Sequence, residues 1–222
     1  MYELDQRLLD KARAILIDRP LYWLIGGSTT GKSTVVRALS EQTDIAVYDM
    51  DEQVFGHYQF NAQRHPATIA WFGAPNPLAF MLSLEWPDFN ALYRAANAEY
   101  LDLMADDLGA HTDQRPLLVD GGITHPSVLA YVIPPERIVC LETTDKIRVE
   151  TWEKAADRAE MRDSVLALPN GAALWQQFLL FDRRMAHTLQ IESHQLGIPI
   201  LQRDERTTVA ETAAAVARLF GL

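Results

Sequence analysis

"WLIGGSTTGKSTVV", residues 23–36, is the stretch that decides the fold expected for this chain. It holds Gly26, four intervening residues, and then Gly31, Lys32 and Ser33, which completes the phosphate-binding loop pattern. Glycines let several backbone N–H groups turn inward toward an anion, and the helix that follows adds unpaired donors and a partial positive charge. An apolar run precedes the loop and a helical pattern follows it, which is the context that the motif requires.

The loop also predicts how a nucleoside triphosphate is held. In this motif the lysine reaches the β- and γ-phosphates and the next hydroxyl binds Mg²⁺, so these roles fall to Lys32 and Ser33. ATP and Mg²⁺ are therefore the expected cofactors. We expect the nucleotide to contact the whole loop, which comprises Gly26, Gly27, Ser28, Thr29, Thr30, Gly31, Lys32, Ser33 and Thr34.

The composition limits the classes of partner. The chain has 222 residues, of which 48% are hydrophobic and 23% charged, as in an ordinary globular domain. Its formal net charge of −10 argues against a broad nucleic-acid or anionic-membrane surface, since both need excess Lys and Arg. No apolar run approaches the roughly 20 residues of a membrane span, and the first residues lack the apolar core of a signal peptide. We expect one cytoplasmic domain over 1–222, monomeric or homodimeric, that binds neither nucleic acid nor membrane.

Apolar strands alternate with helical patterns along the chain. We predict strands at 21–25, 44–52, 115–122, 137–145 and 198–205, with helices between them. This alternation indicates an α/β fold with a parallel sheet and helices on both faces. Ligands of such sheets lie at the carboxyl ends of the strands, and the phosphate loop and several acids follow predicted strand ends.

Three of these acids are candidates for the chemistry. Asp120 ends the apolar run "LLVD" and occupies the position where P-loop proteins hold a metal ion. Asp49 and Asp51 are two residues apart, so on an extended segment they would share one face. One of them could accept a proton from an attacking hydroxyl, and the other could lie near the metal. The expected metal ligands are Ser33, Asp49 and Asp120. The alternative for each acid is a solvated strand end or a helix cap.

Arginines follow the fourth predicted strand, where they could stabilise the charge of a transferring phosphoryl group. Arg158 and Arg162 are four apart and would share one helix face in a mobile lid over 155–175. Arg203, after the fifth strand, could border the nucleotide base. For each arginine the alternative is a solvated surface pair. His125 either touches substrate or precedes a helix that begins at Pro126, and no zinc-ligand spacing is present.

The segment 53–90 interrupts the strand–helix alternation. It contains three of the five tryptophans and several phenylalanines, and four prolines divide it. It is too apolar for a disordered linker. We predict a helical insertion that covers the strand ends and binds the acceptor, whose apolar bulk would suit an aromatic pocket.

The loop, followed by "AVYDMDE" and "LLVDGG", resembles the small P-loop kinases, which include shikimate kinase, gluconate kinase and chloramphenicol phosphotransferase. The Gly-Gly-Ser-x-x-Gly-Lys-Ser form is most similar to the chloramphenicol phosphotransferase branch. This resemblance implies a three-layer P-loop NTPase sandwich with a five-stranded parallel sheet of order 2-3-1-4-5. It also implies Asp51 as the base, Asp49 nearer the metal, and Lys32, Arg158 and Arg162 on the phosphates.

Two departures from that family mean that the acceptor need not be shikimate, gluconate or chloramphenicol. The glycine-rich run that shikimate kinases carry after the third strand is shortened here to Gly121-Gly122, and the insertion is longer and more aromatic. The expected activity is transfer of the γ-phosphate of ATP to a hydroxyl of a metabolite or antibiotic. The alternatives are a nucleotide or toxin-like nucleotide-sugar kinase, and a non-kinase P-loop module. The Asn-Lys-x-Asp and Leu-Ser-Gly-Gly-Gln signatures of GTPases and transporter ATPases are missing.

Overall fold

Five parallel strands form one sheet in the order β2-β3-β1-β4-β5, in a computed structural model that describes residues 2–222. This is the order that the kinase resemblance implied. The sheet places β1 in the centre, so the phosphate loop that follows it lies at the middle of the carboxyl edge. The strands are β1 (Leu21–Gly26), β2 (Ala46–Asp49), β3 (Leu117–Asp120), β4 (Ile138–Thr143) and β5 (Ile200–Arg203).

Helices cover both faces of the sheet. They are α1 (Gln6–Leu16), α2 (Lys32–Thr43), α3 (Met50–Glu52), α4 (Pro66–Phe72), α5 (Pro77–Ser83), α6 (Trp86–Gly109), α7 (Pro126–Val132), α8 (Asp145–Lys154), α9 (Ala159–Leu166), α10 (Gly171–Gln195) and α11 (Val209–Phe220). Alternate residues of β1 enter opposite cores: Trp23 and Ile25 pack with α1, α6, α7 and α10, whereas Leu24 packs with α2 and α11. Among the described residues, no helix is long and apolar enough to cross a bilayer.

The strand predicted over 44–52 is shorter than expected. It ends at Asp49, whose side chain accepts a hydrogen bond from the backbone N–H of Glu52 at 3.0 Å and so caps a helical turn. A π-helical turn over Gln53–His57 follows directly. The expectation that Asp49 and Asp51 share one extended face was therefore wrong, because Asp49 ends the strand and Asp51 lies on the helical turn.

The strand predicted over 115–122 also ends early, at Asp120. Gly121 and Gly122 have φ angles of 68° and 73°, which lie in the left-handed region that terminates an extended strand. The chain then continues to α7, which begins at Pro126 with His125 at its N-cap. His125 is buried and its Nε2 lies 3.0 Å from the Asn90 side chain. These positions fit the interpretation of His125 as the residue before a helix.

The arginine pair predicted on one helix face is not formed. Arg158 ends a 3₁₀ turn over Ala156–Arg158, and Arg162 lies inside α9, which begins one residue later. The two guanidinium groups have different partners, as described below. The segment 155–175 therefore consists of this turn, α9, and the start of α10.

The segment 53–90 is helical, as its composition indicated, and it packs against α6. Glu99 on α6 accepts hydrogen bonds from the backbone N–H groups of Ala67 and Thr68, both at 2.8 Å, at the start of α4. Beside it, Nε2 of the buried His65 lies 3.2 Å from the buried Asp102. These side chains attach α4 to a long helix whose position is fixed by the sheet.

Candidate active site

The phosphate loop leads from β1 into α2, and two of its side chains donate hydrogen bonds to a carbonyl group of the loop itself. Gly31 is the N-cap of α2 and has no side chain to cap it, so the first-turn N–H groups are available for an anion. The Thr30 hydroxyl donates to the Gly27 carbonyl at 2.8 Å, and Lys32 Nζ donates to the same oxygen at 3.3 Å. The predicted lysine and the helix N-terminus therefore face the same side of the loop.

Two arginines reach the loop from distant parts of the chain. Arg158 donates from Nη2 to the Ser28 carbonyl at 2.7 Å, and its guanidinium lies 5.3 Å from the centre of the Trp152 ring. Arg203, at the end of β5, donates from Nη1 to the Thr30 carbonyl at 2.6 Å. Both guanidinium groups therefore contact the phosphate loop, and their action on the nucleotide stays a prediction.

Three other arginines that follow the fourth strand are held elsewhere. Arg162 donates to the Glu153 carbonyl, and its Nε lies 3.3 Å from Asp163, so it does not contact the loop. Arg183 pairs with Asp145 at 2.8 Å, and Arg184 lies over the Trp86 ring. Of the two lid arginines predicted to act on phosphate, the structure thus brings only Arg158 to the phosphate loop.

The residues predicted to hold Mg²⁺ meet at the carboxyl edge of the sheet. Asp120 is buried, its Oδ1 has no hydrogen-bond partner, and the pairing of β2 with β3 places Asp49 directly beside it. Burial raises the pKa of Asp120, while the neighbouring Ser33 hydroxyl and Lys32 oppose that rise. An unpartnered carboxylate oxygen beside a hydroxyl fits a hard cation, which prefers oxygen ligands.

The protein supplies few ligands at this point. Within residues 2–222, no group of three or more His, Cys, Asp or Glu side chains is arranged to hold a metal ion. A Mg²⁺ ion bound with nucleotide usually takes one or two carboxylates and completes its shell with phosphate oxygens and water. Asp120 and Ser33 fit that pattern, with Asp49 adjacent.

Asp51 is positioned by the two glycines that end β3. A Cβ atom on Gly121 would lie 3.0 Å from Asp51 Oδ2, and one on Gly122 would lie 2.5 Å from the Met50 Cβ. The close approach of α3 to this loop therefore requires glycine at both positions. The backbone N–H of Gly122 lies beside the Asp51 carboxylate and lowers its pKa.

The charges around Asp51 shift its proton affinity. Desolvation in the site raises the pKa of Asp51; Lys32 opposes that rise, whereas Asp49 and Asp120 add to it. Burial lowers the pKa of Lys32, and the adjacent Asp120 and Asp51 oppose that fall. A carboxylate with a raised pKa, close to a lysine of the phosphate loop, is suited to accept a proton from an attacking group.

A cavity of about 650 Å³ joins the phosphate loop to the insertion. Its loop side is formed by Gly26, Gly27, Ser28, Lys32 and Asp51. The opposite side is aromatic, with contributions from the insertion and from helices α6, α8 and α10. These residues are Phe55, Trp71, Phe72, Phe89, Tyr93, Tyr100, Trp152, Phe178 and Phe181.

Comparison with known proteins identifies the architecture. No protein-family model matches the chain, and no curated protein matches it by sequence. Among solved structures, TT1252 from Thermus thermophilus matches at 15% identity and a TM-score of 0.53, covering 92% of this chain and 98% of that one. Shikimate kinase from Bacteroides thetaiotaomicron matches at 11% identity and a TM-score of 0.51, covering 91% of this chain and 98% of that one. The chain has the shikimate kinase fold.

Within the shikimate kinase fold, one polar residue of the cavity escaped the sequence reasoning. Asp182 lies on α10 and lines the cavity, and its buried Oδ2 has no hydrogen-bond partner. The signal that could have found it is the spacing of Asp182 from Phe178 and Met185. Positions four before and three after share a helix face, and both of those residues are buried.

Proposed function

We propose that the protein is an ATP-dependent phosphotransferase that moves the γ-phosphate of ATP to a hydroxyl of a small molecule. The observation that supports this most strongly is that Lys32 and Asp51 line the same cavity, which continues into an apolar chamber. A carboxylate beside the triphosphate end of a nucleotide is what transfer to a hydroxyl needs. The chamber beyond it offers room for the acceptor.

Asp51 is the proposed base. Its carboxylate accepts the proton of the acceptor hydroxyl as the hydroxyl oxygen forms a bond to the γ-phosphorus. The bond between that phosphorus and the bridging oxygen breaks, and ADP leaves with the electron pair. The raised pKa of Asp51 makes it a stronger proton acceptor than an ordinary aspartate, and its fixation by Gly121 and Gly122 limits reorganisation during transfer.

Positive groups on the opposite side hold the phosphates. Lys32 and the loop N–H groups bind the β- and γ-phosphates, and Arg158 lies where it can turn from the Ser28 carbonyl to a phosphate oxygen. Arg203 braces the loop at Thr30 and borders the nucleotide. Ser33 and Asp120 would hold Mg²⁺, with Asp49 next to them, and the ion would neutralise charge on the phosphate oxygens.

The acceptor lies under the segment 53–90 in this proposal, and the segment 155–175 acts as a lid. The lid carries Arg158 to the loop and Met161 to the cavity. Arg162, held by the Glu153 carbonyl, supports the lid and does not touch phosphate. The aromatic chamber argues against a nucleotide or nucleotide-sugar acceptor, because a second phosphate would need cationic partners on that side.

The test is whether ADP release depends on an acceptor. Purified protein with Mg²⁺ and ATP is incubated with pools of hydroxylated metabolites and antibiotics, and ADP and phosphorylated products are measured together. We expect slow hydrolysis alone and much faster ADP release with one pool, in step with a phosphorylated product. ADP release at the same rate with every pool and without any pool would contradict a dedicated kinase. It would favour the alternative of a non-kinase P-loop module.

A further inference from the structure

The charged groups of the cavity are few and unevenly placed. Among the cavity-lining residues of the described chain, the charged side chains are Lys32, Asp51 and Asp182. Lys32 and Asp51 belong to the phosphate side. The aromatic side therefore contains a single carboxylate, Asp182, and no Lys or Arg among the described residues that line it.

The protein around Asp182 satisfies this carboxylate only in part. Its side chain is only 12% exposed, and its Oδ2 lacks a hydrogen-bond donor. The nearest cation is Arg148, whose Nε is 3.8 Å from that oxygen, too far for a hydrogen bond. The indole N–H of the buried Trp152 lies beside this carboxylate and favours its ionised form, although Nε1 and Oδ2 do not meet the geometry of a full hydrogen bond. A carboxylate left in this state costs free energy unless a ligand supplies donors or positive charge.

Arg148 forms its hydrogen bond with another part of the fold. It is buried and donates to the Thr143 carbonyl at 3.1 Å, at the end of β4. It does not line the cavity, so it offsets the charge of Asp182 from behind without occupying the acceptor space. Burial raises the pKa of Asp182, and Arg148 is the main group that opposes that rise, with smaller contributions from Trp152, Arg158 and Lys32.

We propose that the acceptor is an apolar alcohol that carries a basic nitrogen, with its ammonium group paired to Asp182 beside Trp152, Phe178 and Phe181. This deepens the proposed function and rests on it. A carboxylate bordered by aromatic rings attracts organic cations through charge pairing and cation–π contacts. Carboxylate or phosphate groups on an acceptor would be repelled by Asp182, and no Lys or Arg lines this side of the cavity to pair with them.

The test uses three soluble probes that share one carbon skeleton: 4-phenylbutylamine, 4-phenylbutanol and 4-phenylbutyrate. Their binding is measured by calorimetry without nucleotide. In the wild-type protein the amine should bind roughly tenfold or more tightly than the alcohol, and the carboxylate most weakly, as expected for a charge-assisted hydrogen bond. In Asp182→Asn this advantage of the amine should vanish while alcohol binding stays the same. Asp113→Asn, at an exposed acid that pairs with Arg115 ahead of β3 and does not line the cavity, is the matched control and should retain the wild-type order.

Two results would overturn the proposal: equal binding of amine and alcohol in the wild-type protein, or an amine advantage that survives in Asp182→Asn. If Asp182 serves only as a partner of Arg148, the variant will lower the melting temperature and leave the order of the probes intact. Because no ATP is present, the outcome is independent of catalysis. Loss of the kinase proposal would appear separately, as ADP release that no acceptor stimulates.

Discussion

The phosphate loop and the segment 53–90 face each other across one cavity, but different interactions build them. The loop is a short run of consecutive residues whose backbone N–H groups and single lysine create a positive site. The opposite side is assembled from rings that are far apart in sequence, such as Trp71 and Phe181. We call the phosphate loop and its lysine the donor side of the cavity, and the aromatic residues opposite them the acceptor side. The donor side is determined by neighbouring residues in the sequence, whereas the acceptor side depends on tertiary packing. This difference implies that substitutions on the two sides should have separable effects.

The largest expected effect is at the centre of the donor side. Lys32→Ala should lower kcat by about 10³-fold, because loss of one preorganised charge on the transferring group costs about 10²–10³ and nucleotide binding weakens as well. The protein should stay folded, since Lys32 makes one 3.3 Å hydrogen bond to its own loop. Turnover is measured as ADP release and folding as the melting temperature. Lys154→Ala, at a lysine that is 71% exposed, should leave both at wild-type values.

Asp51 lies where the two sides meet. Asp51→Asn should reduce kcat by about 10²-fold with little change in the KM for ATP, because it removes a general base and not a phosphate contact. In the wild type, kcat should fall as the pH drops through the raised pKa of Asp51, since only the ionised carboxylate accepts a proton. The inflection should lie above the ordinary aspartate value of 3.8 and should be absent from the variant. Equal losses of kcat and ATP affinity would assign Asp51 to metal binding.

The two lid arginines offer an internal comparison. Arg158→Ala should cost roughly 10- to 100-fold in kcat/KM for ATP, the range expected for one charge-assisted hydrogen bond. Arg162→Ala should cost much less, because Arg162 donates to the Glu153 carbonyl on α8 and does not contact the phosphate loop. Steady-state kinetics of both variants separate a phosphate contact from a lid support. Similar losses in the two variants would show that the lid closes with both arginines on the nucleotide.

The smallest effect concerns how the acceptor side is attached. Desolvation raises the pKa of Asp102, but hydrogen bonds from His65, Arg64 and Lys11 outweigh it and lower the pKa to about 2. A lowered carboxyl pKa stabilises the fold above the unfolded value near 3.8, and that stability is lost as the pH falls from there toward 2. Because Arg64 and Lys11 are partly exposed, we expect about 1–2 kcal/mol from this group at neutral pH.

Asp102→Asn tests that attachment by chemical unfolding at neutral pH and at low pH. The variant should lose stability at neutral pH, and the difference from wild type should shrink as the pH falls below 3.8. The KM for the acceptor should rise while the KM for ATP stays constant, because α4 belongs to the acceptor side. A change in the KM for ATP without a change in the KM for the acceptor would contradict the proposed separation of the two sides. Exposed Asp113→Asn again serves as the control.

The sequence predicted the donor side well for a physical reason. The loop pattern, its place between strand and helix, and Asp120 after an apolar run all depend on neighbouring residues, and the structure confirms the strand order with β1 at the centre. The predicted strand bounds were wrong where a side-chain hydrogen bond ends the extended backbone. Asp49 caps a turn and ends β2 early, which no count of apolar residues would reveal.

The acceptor side could be predicted only in outline. The aromatic content of 53–90 indicated a pocket, but not that α8 and α10 would contribute Trp152 and Phe178 to it. The role of Asp182 could not be predicted from the sequence, because it depends on contacts with Arg148 and Trp152, which lie some thirty residues earlier in the chain. Such relationships arise from packing between helices and have no short-range pattern.

The central claim is that the γ-phosphate passes to an acceptor hydroxyl with Asp51 as the base. Phosphorus NMR of a reaction containing Mg²⁺, ATP and the acceptor found by the screen follows that phosphate directly. The wild-type protein should convert the γ-phosphate signal into a phosphate monoester in equal amount to ADP, and Asp51→Asn should form the ester far more slowly. Conversion of the γ-phosphate to inorganic phosphate alone, at the same rate with and without the acceptor, would contradict the account.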